Sequence, residues 1–266
     1  MKRSSIILGF LSVILIWPGT FIFADETQTI DQIVKKTNKA SYYLGHDGRS
    51  LVRMTITDSK NRTRIREMVM LRLNKTDGGD QKYYLYFKKP SDVRKMVFLV
   101  HKRVKRDDDR WLYLPALDLV KRIAASDKRT SFVGSTFFYE DVSGRNIDDD
   151  DHEIKNSHKE YFVIQNTPKK PDTVEFSSYT MWINKQNYIP VKIEYLDKDG
   201  KLYRVIEALD IKTIQGFPTV VKMRARDLVS KGETIVEFKN IKYNIGLKDN
   251  IFTKRYLRKA PRVVRR

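Results

Sequence analysis

Three groups of residues in this 266-residue sequence have side chains that could carry out catalysis, but none has the required pattern. His152-Glu153 followed by His158 is not a zinc pattern, because two metal-binding histidines on one helix face lie about one turn apart. Gly134-Ser135-Thr136-Phe137 lacks the second glycine of a nucleophile elbow. Glu140-Asp141 could be a carboxylate pair, although a short helix cap, or an ion pair with Arg122 or Arg129, is the better interpretation. We therefore predict that the protein is not an enzyme.

Two acidic runs could in principle bind calcium. Asp107-Asp108-Asp109 and the run from Asp148 to Asp151 both lack the spaced oxygen ligands and the turn glycine of a calcium loop. We interpret both runs as solvated acidic turns. The sequence contains no cysteine, which removes thiol catalysis, disulfides and thiolate metal sites together. We expect no metal and no other cofactor.

The N-terminus has the pattern of a secretory signal peptide. Lys2-Arg3 precedes an apolar run from Ile6 to Trp17, and Ala24 stands before an acidic pair. A membrane anchor is the alternative, but the run is short for a spanning helix and Pro18-Gly19 interrupts it. We predict a signal peptide over residues 1–24, cleaved near Ala24, and an exported, periplasmic protein. Without a cysteine at the new N-terminus, the protein would not itself be a lipoprotein.

The chain is strongly basic. Its formal net charge is +19, which becomes +17 once the lysine and arginine of the signal peptide are removed. A basic protein attracts polyanions, and outside the cytoplasm these are chiefly anionic membrane surfaces. Export argues against nucleic acid as the partner. The exposed cations of the C-terminal tail, residues 258–266, are the expected membrane-surface contacts: Arg258, Lys259, Arg262, Arg265 and Arg266.

The elements that would position any site are mainly strands. A helix capped by Thr29 should run to about Leu44, since apolar residues recur there at helical spacing. From Leu51 onward, alternating runs are separated by turn residues, and five strand-length runs follow between Thr173 and Tyr243. This pattern predicts one domain over residues 25–257, built as a highly curved antiparallel sheet or partly open barrel. A final helix is predicted over Asn250 to Arg258.

A central block, Ser126 to Val142, does not have strand periodicity. It is rich in aromatic residues, and Ser135 followed by Glu140-Asp141 predicts a short helix. These aromatics could plug one end of the barrel, or they could form a movable lid over a lipid-binding cavity. The residues expected at the cavity or lid are four aromatics of this block and four residues from outside it: Trp111, Tyr113, Leu114, Phe132, Phe137, Phe138, Tyr139 and Trp182.

Several motifs resemble one bacterial family. Five motifs in and before the central block are similar to those of LolA-like outer-membrane lipoprotein-sorting proteins. The first is Trp-Leu-Tyr-Leu-Pro-Ala-Leu, at Trp111 to Leu117. It is followed by Val-Lys-Arg-Ile, Ser-Asp-Lys-Arg, Ser-Phe-Val-Gly-Ser and Phe-Tyr-Glu-Asp-Val. The resemblance is to an uncharacterised periplasmic branch of that family. Pro90-Ser91-Asp92-Val93-Arg94 and the run Phe252 to Leu257 also resemble this branch.

The resemblance implies a half-open β-barrel with an N-terminal helix and a short helical lid around an apolar cavity. It implies non-catalytic carriage of lipoprotein acyl chains, or of a phospholipid-like lipid, toward the outer membrane. Some members of the branch resemble partners of inner-membrane lipid exporters, and we expect a monomer. The alternative is an envelope scaffold, or an accessory subunit of a lipid exporter, that binds protein partners and no lipid. A lipid or glycan hydrolase would need a polar constellation that the sequence lacks.

Overall fold

The computed structural model describes residues 28–265, apart from the side chains of residues 156 and 157. The predicted signal peptide and Arg266 lie outside the described residues. The strands, in chain order, are β1 Asp47–Thr57, β2 Thr63–Asn74, β3 Gln81–Lys89, β4 Val97–Lys102, β5 Asp109–Leu114, β6 Leu119–Ile123, β7 Asp150–Ser157, β8 Tyr161–Pro168, β9 Phe176–Asn184, β10 Pro190–Asp197, β11 Leu202–Ile214, β12 Phe217–Asp227 and β13 Gly232–Tyr243.

All thirteen of these strands form one antiparallel sheet. Two series of hairpins, β1 to β6 and β7 to β13, are joined where β1 pairs with β13. Strands β6 and β7 stand at the two ends of this order and do not pair with each other in the described part of the chain. The sheet is therefore a curved, unclosed barrel, which confirms the predicted fold class.

The first half of the sheet is apolar on both faces. In β2, Met68 belongs to the core on the inner, concave face, whereas Val69 and Leu71 belong to a second core on the outer face. Successive side chains of a strand point to opposite faces, so both faces of β2 need a cover. The inner face is covered by the central block, whose Phe132, Phe137 and Tyr139 belong to the inner core. The outer face is covered by the C-terminal segment.

The N-terminal helix, α1 Ile30–Tyr42, confirms the sequence prediction. Thr29 caps it through a capping box with Gln32, in which each side chain accepts a hydrogen bond from the other residue's backbone N–H. Ile33 and Val34 are buried against Ile164 of β8 and a neighbouring strand. This contact holds α1 against the inner face of the second half of the sheet.

Three shorter helices follow: α2 Tyr139–Ser143, α3 Arg255–Arg258 and α4 Arg262–Arg265. The predicted final helix over Asn250 to Arg258 is wrong in extent, because the chain bends at Phe252 to bury that ring in the outer core. Among residues 28–265, no helix has the length and apolar character needed to cross a bilayer.

The interpretation of the acidic runs as solvated turns needs correction. Asp108 is paired with Arg110 at 2.7 Å, and both side chains are buried. Asp150 begins β7, is almost fully buried, and pairs with Arg145 at 2.8 Å. The basic side chains that allow these carboxylates to be buried come close to them only in the folded chain.

Candidate functional site

An apolar cavity of about 380 Å³ lies on the inner face of the sheet, beneath α1. Val34 and Thr37 of α1 form one wall, and Leu85, Ile206 and other side chains of the strands form the opposite wall. This volume is within the range typical of small-molecule sites. Such a cavity can bind an apolar chain through the hydrophobic effect alone, at about 0.8 kcal/mol for each buried methylene.

Methionine is the most frequent residue type on the strand side of the cavity. Of the seven methionines in the sequence, five line it. Methionine is unbranched and polarisable, so a surface rich in it adapts to ligands of different shape. The cavity-lining methionines are Met54, Met68, Met70, Met181 and Met223.

The aromatic part of the central block forms part of the cavity wall. Phe132 and Phe137 both line the cavity, and the Phe132 N–H donates to the Phe137 carbonyl at 2.7 Å. The Phe132 ring contacts Phe98 at 5.3 Å and Tyr139 at 5.5 Å between ring centroids. The chain reverses at Val133 and Gly134, both of which have positive φ. We call residues Ser131–Tyr139 the lid loop.

Polar contacts attach the lid loop to the second half of the sheet. The Thr136 N–H donates to Thr234 Oγ1 at 3.0 Å, and Thr136 Oγ1 donates to the Ala225 carbonyl at 2.9 Å. Arg204, which is almost fully buried, donates to the Thr136 carbonyl at 3.2 Å and forms an ion pair with Asp141. A few hydrogen bonds of this kind contribute only about 1 kcal/mol each.

A buried ionic cluster supports α2 at the cavity wall. The Glu140 carboxylate is 3.1 Å from Arg129, 3.3 Å from Lys128 and 3.7 Å from Arg145. Burial alone would raise the pKa of Glu140, but the charges of these three residues outweigh it and hold the pKa below its ordinary value. The ion pair with Arg129 is one that the sequence analysis favoured for Glu140.

Replacing Glu140 by glutamine should destabilise the fold strongly, because three cations would lose the carboxylate that allows their burial. We expect a loss of about 3–5 kcal/mol in the free energy of unfolding at neutral pH, measured by urea titration. A folded-state pKa below the unfolded value means that this stabilisation is complete above about pH 4.5 and is lost as pH falls through the folded pKa. The difference between wild type and Glu140→Gln should therefore shrink in acid.

A matched control is Glu194→Gln, which removes the carboxylate of a more exposed pair with Lys192 at 3.0 Å. Its effect should be about 0–1 kcal/mol. Equal losses from the two substitutions, or a difference between wild type and Glu140→Gln that does not change with pH, would contradict the role given to Glu140.

The eight predicted cavity residues occupy different places. Phe132 and Phe137 border the cavity. Tyr139 and Leu114 belong to the inner core around it but do not line it. The other four do not line it: Trp111 and Tyr113 pack in the outer core, Phe138 lies under the guanidinium groups of Arg204 and Arg129, and Trp182 lies under Lys192.

Much of the lining was not predicted from the sequence. The α1 side chains and the five methionines were not among the candidate residues. Strand alternation was the signal that could have identified the lining methionines, since Met54 is buried between two polar residues of β1. However, alternation cannot show which face of a strand points toward a cavity.

The predicted basic tail is folded onto the outer face. Leu257 and Val264 are buried in the outer core, whereas Arg258, Lys259, Arg262 and Arg265 are exposed. Arg258 forms an ion pair with Asp118 at 2.8 Å. Within the described residues, no group of histidine, aspartate or glutamate side chains could hold a metal ion.

Comparison with known proteins identifies the family. A family model described as "Uncharacterized protein" matches residues 79–259. A solved outer-membrane lipoprotein-sorting protein domain from Vibrio parahaemolyticus is 26% identical, with a TM-score of 0.77, and the match covers 85% of this chain and 97% of that one. This chain is a LolA-like protein of the uncharacterised Lol-like branch.

Two further structures agree with this LolA-like assignment. A DUF1329 family protein from Desulfovibrio piger is 26% identical over 85% of this chain and 96% of its own, with a TM-score of 0.77. A LolA superfamily protein from Nitrosomonas europaea has a TM-score of 0.66 over 86% of this chain and 99% of its own; at 19% identity it supports the fold alone. A search among curated proteins gives no match.

Proposed function

We propose that this LolA-like protein is a non-catalytic periplasmic carrier that binds acyl chains in its apolar cavity. The cargo is an acyl chain of a lipoprotein or of a phospholipid-like lipid, carried toward the outer membrane. The cavity beneath α1, with its methionine lining and aromatic lid loop, is the observation that carries this proposal. The name of the Vibrio domain, a lipoprotein-sorting protein, supports the same class of function.

The cavity suits acyl chains better than compact polar molecules. About half of the side chains in its strand wall are methionine, leucine, isoleucine or valine, which offer no hydrogen-bonding groups; the rest include polar side chains such as Ser50, Arg72 and Thr219. An acyl chain needs no hydrogen-bonding group, because its binding energy comes from burial of methylenes. A single long chain would gain on the order of 10 kcal/mol before the entropic costs of binding.

Lipid analysis of the native protein tests the proposal. The mature chain is purified from the periplasm without detergent, extracted with organic solvent and analysed by mass spectrometry. We expect an acyl lipid in roughly stoichiometric amount, and uptake of a fluorescent fatty-acyl probe by protein that has been stripped of lipid. If the protein neither co-purifies with lipid nor takes up the probe, the result favours a scaffold that binds only proteins.

A further inference from the structure

The tip of the β5–β6 hairpin exposes two leucines to solvent. Leu117 is 71% exposed and Leu119 is 47% exposed, on either side of Asp118. Pro115 opens a short 3₁₀ turn at this tip, which fixes the backbone there. A large apolar side chain at a rigid, protruding tip gains free energy if it can leave water. The cavity does not use either leucine.

The C-terminal segment beside this tip carries only positive charge. Between Lys254 and Arg265 it has six cations and no acidic residue, and all six cations are exposed. Pro261 and the apolar residues Leu257 and Val264 point into the protein instead. The segment is thus fixed on the outer face with its basic side outward. The six cations are Lys254, Arg255, Arg258, Lys259, Arg262 and Arg265.

Direct contacts join the tip to this segment. Arg258 Nε donates to Asp118 Oδ1 at 2.8 Å, and Arg258 Nη2 donates to the Asp118 carbonyl at 3.0 Å. The same guanidinium lies 5.8 Å from the centroid of the Tyr113 ring. Asp118, the one acidic residue of the tip, is therefore neutralised. Leu117 at the tip and the six cations together are called the docking surface. Leu119 is not part of it, because it pairs with Leu114 of the inner core and so lies on the other face of the sheet.

We propose that the docking surface binds anionic bilayers. Leucine side chains partition into the boundary between headgroups and acyl chains, and each lysine or arginine near an anionic surface contributes about 1 kcal/mol. Neither contribution alone gives stable attachment, but a surface that combines both can bind reversibly. Its location on the outer face leaves the cavity beneath α1 free. This inference is independent of whether the cavity carries lipid.

Vesicle co-sedimentation of the full mature chain tests the proposal. We expect binding to vesicles of equal parts phosphatidylcholine and phosphatidylglycerol, weaker binding as salt rises, and little binding to phosphatidylcholine alone. Leu117→Ser should weaken binding about tenfold or more, because it removes the large apolar side chain that would leave water on contact with the bilayer. Val229→Ser is the matched control, since Val229 is 76% exposed on the β12–β13 turn and should not matter.

Charge reversal tests the basic part of the surface. The double variant Lys259→Glu with Arg262→Glu should lose at least tenfold in affinity for the anionic vesicles. Lys201→Glu, at the exposed β10–β11 turn, is its control and should bind as wild type does. Truncation after Leu257 is a poorer test, because it also removes the buried Val264 from the outer core.

Three outcomes would overturn the proposal. The first is absence of binding to anionic vesicles at low salt. The second is equal behaviour of Leu117→Ser and Val229→Ser, or of the double charge variant and Lys201→Glu. The third is that the Leu117 and charge variants bind vesicles as wild type does but lose an interaction with a protein. The occupant of this surface would then be a protein.

Discussion

Replacing Ala208 by tryptophan should abolish retention of lipid while leaving the protein folded. Ala208 lies on β11, paired with Met223 of β12, and both side chains line the cavity. An indole at this position would occupy space that the acyl chain needs. If the indole displaces only two methylenes of the chain, the binding free energy falls by about 1.6 kcal/mol, which already weakens binding about tenfold. A whole chain cannot enter, so the expected loss is far larger.

The neighbouring residue provides the control. Leu209 follows Ala208 on the same strand and is 41% exposed, so Leu209→Trp adds the same side chain outside the cavity. Lipid per protein is measured after native purification, and probe uptake is measured after delipidation. Overpacking costs about 1–3 kcal/mol, and thermal unfolding of both variants shows whether the fold tolerates it. Normal lipid content in a folded Ala208→Trp protein would mean that this cavity is not the binding site.

The fold was largely predictable because local signals repeat along the chain. Turn residues and alternating strands between Thr173 and Tyr243 correspond to β9 to β13. Strand β7 was missed because its sequence, from Asp150 to Ser157, is almost entirely polar. Its place in the sheet depends on pairing with β8 and on the buried contacts of Asp150 with Arg145 and Tyr179.

The site was less predictable because it depends on which face of each strand is concave. Strand alternation in β5 places Trp111 and Tyr113 on one face and Leu112 on the other, as the structure shows. Both faces of β5 are apolar, however, and no local pattern shows which of them faces inward. Trp111 and Tyr113 are covered by Leu257 and Val264, far away in the sequence.

The lid loop should release cargo only when it moves, and an engineered disulfide between residues 136 and 232 tests this. A β-carbon added at Gly232 would lie 3.3 Å from Thr136 Cγ2, so a sulfur near the Cγ2 position would be within bonding range of a second cysteine. Gly232 does not have a positive φ, and the backbone there accepts a side chain. The sequence contains no native cysteine that could form a competing disulfide.

In the oxidised Thr136→Cys, Gly232→Cys protein, cargo should stay trapped and transfer to acceptor vesicles should slow by roughly tenfold to a hundredfold. A carrier without an energy source needs a lid whose opening costs only a few kcal/mol, and a covalent bond from the lid loop to β13 removes that opening. Thr136→Cys also loses a hydrogen bond to Ala225, worth about 1 kcal/mol. The oxidised protein is therefore compared with its own reduced form, in which that loss is the same.

The single-cysteine variants, treated with the same oxidant, show whether oxidation itself affects transfer. Loading of delipidated protein should slow along with release, because both require the same movement of Phe132 and Phe137 away from the cavity. Reduction should restore both rates. If the cross-linked protein loads and unloads lipid as fast as its reduced form, the aromatic rings of this loop only plug the end of the barrel. Lipid would then have to enter along another wall, and α1, whose Val34 and Thr37 line the cavity, would be the element to immobilise next.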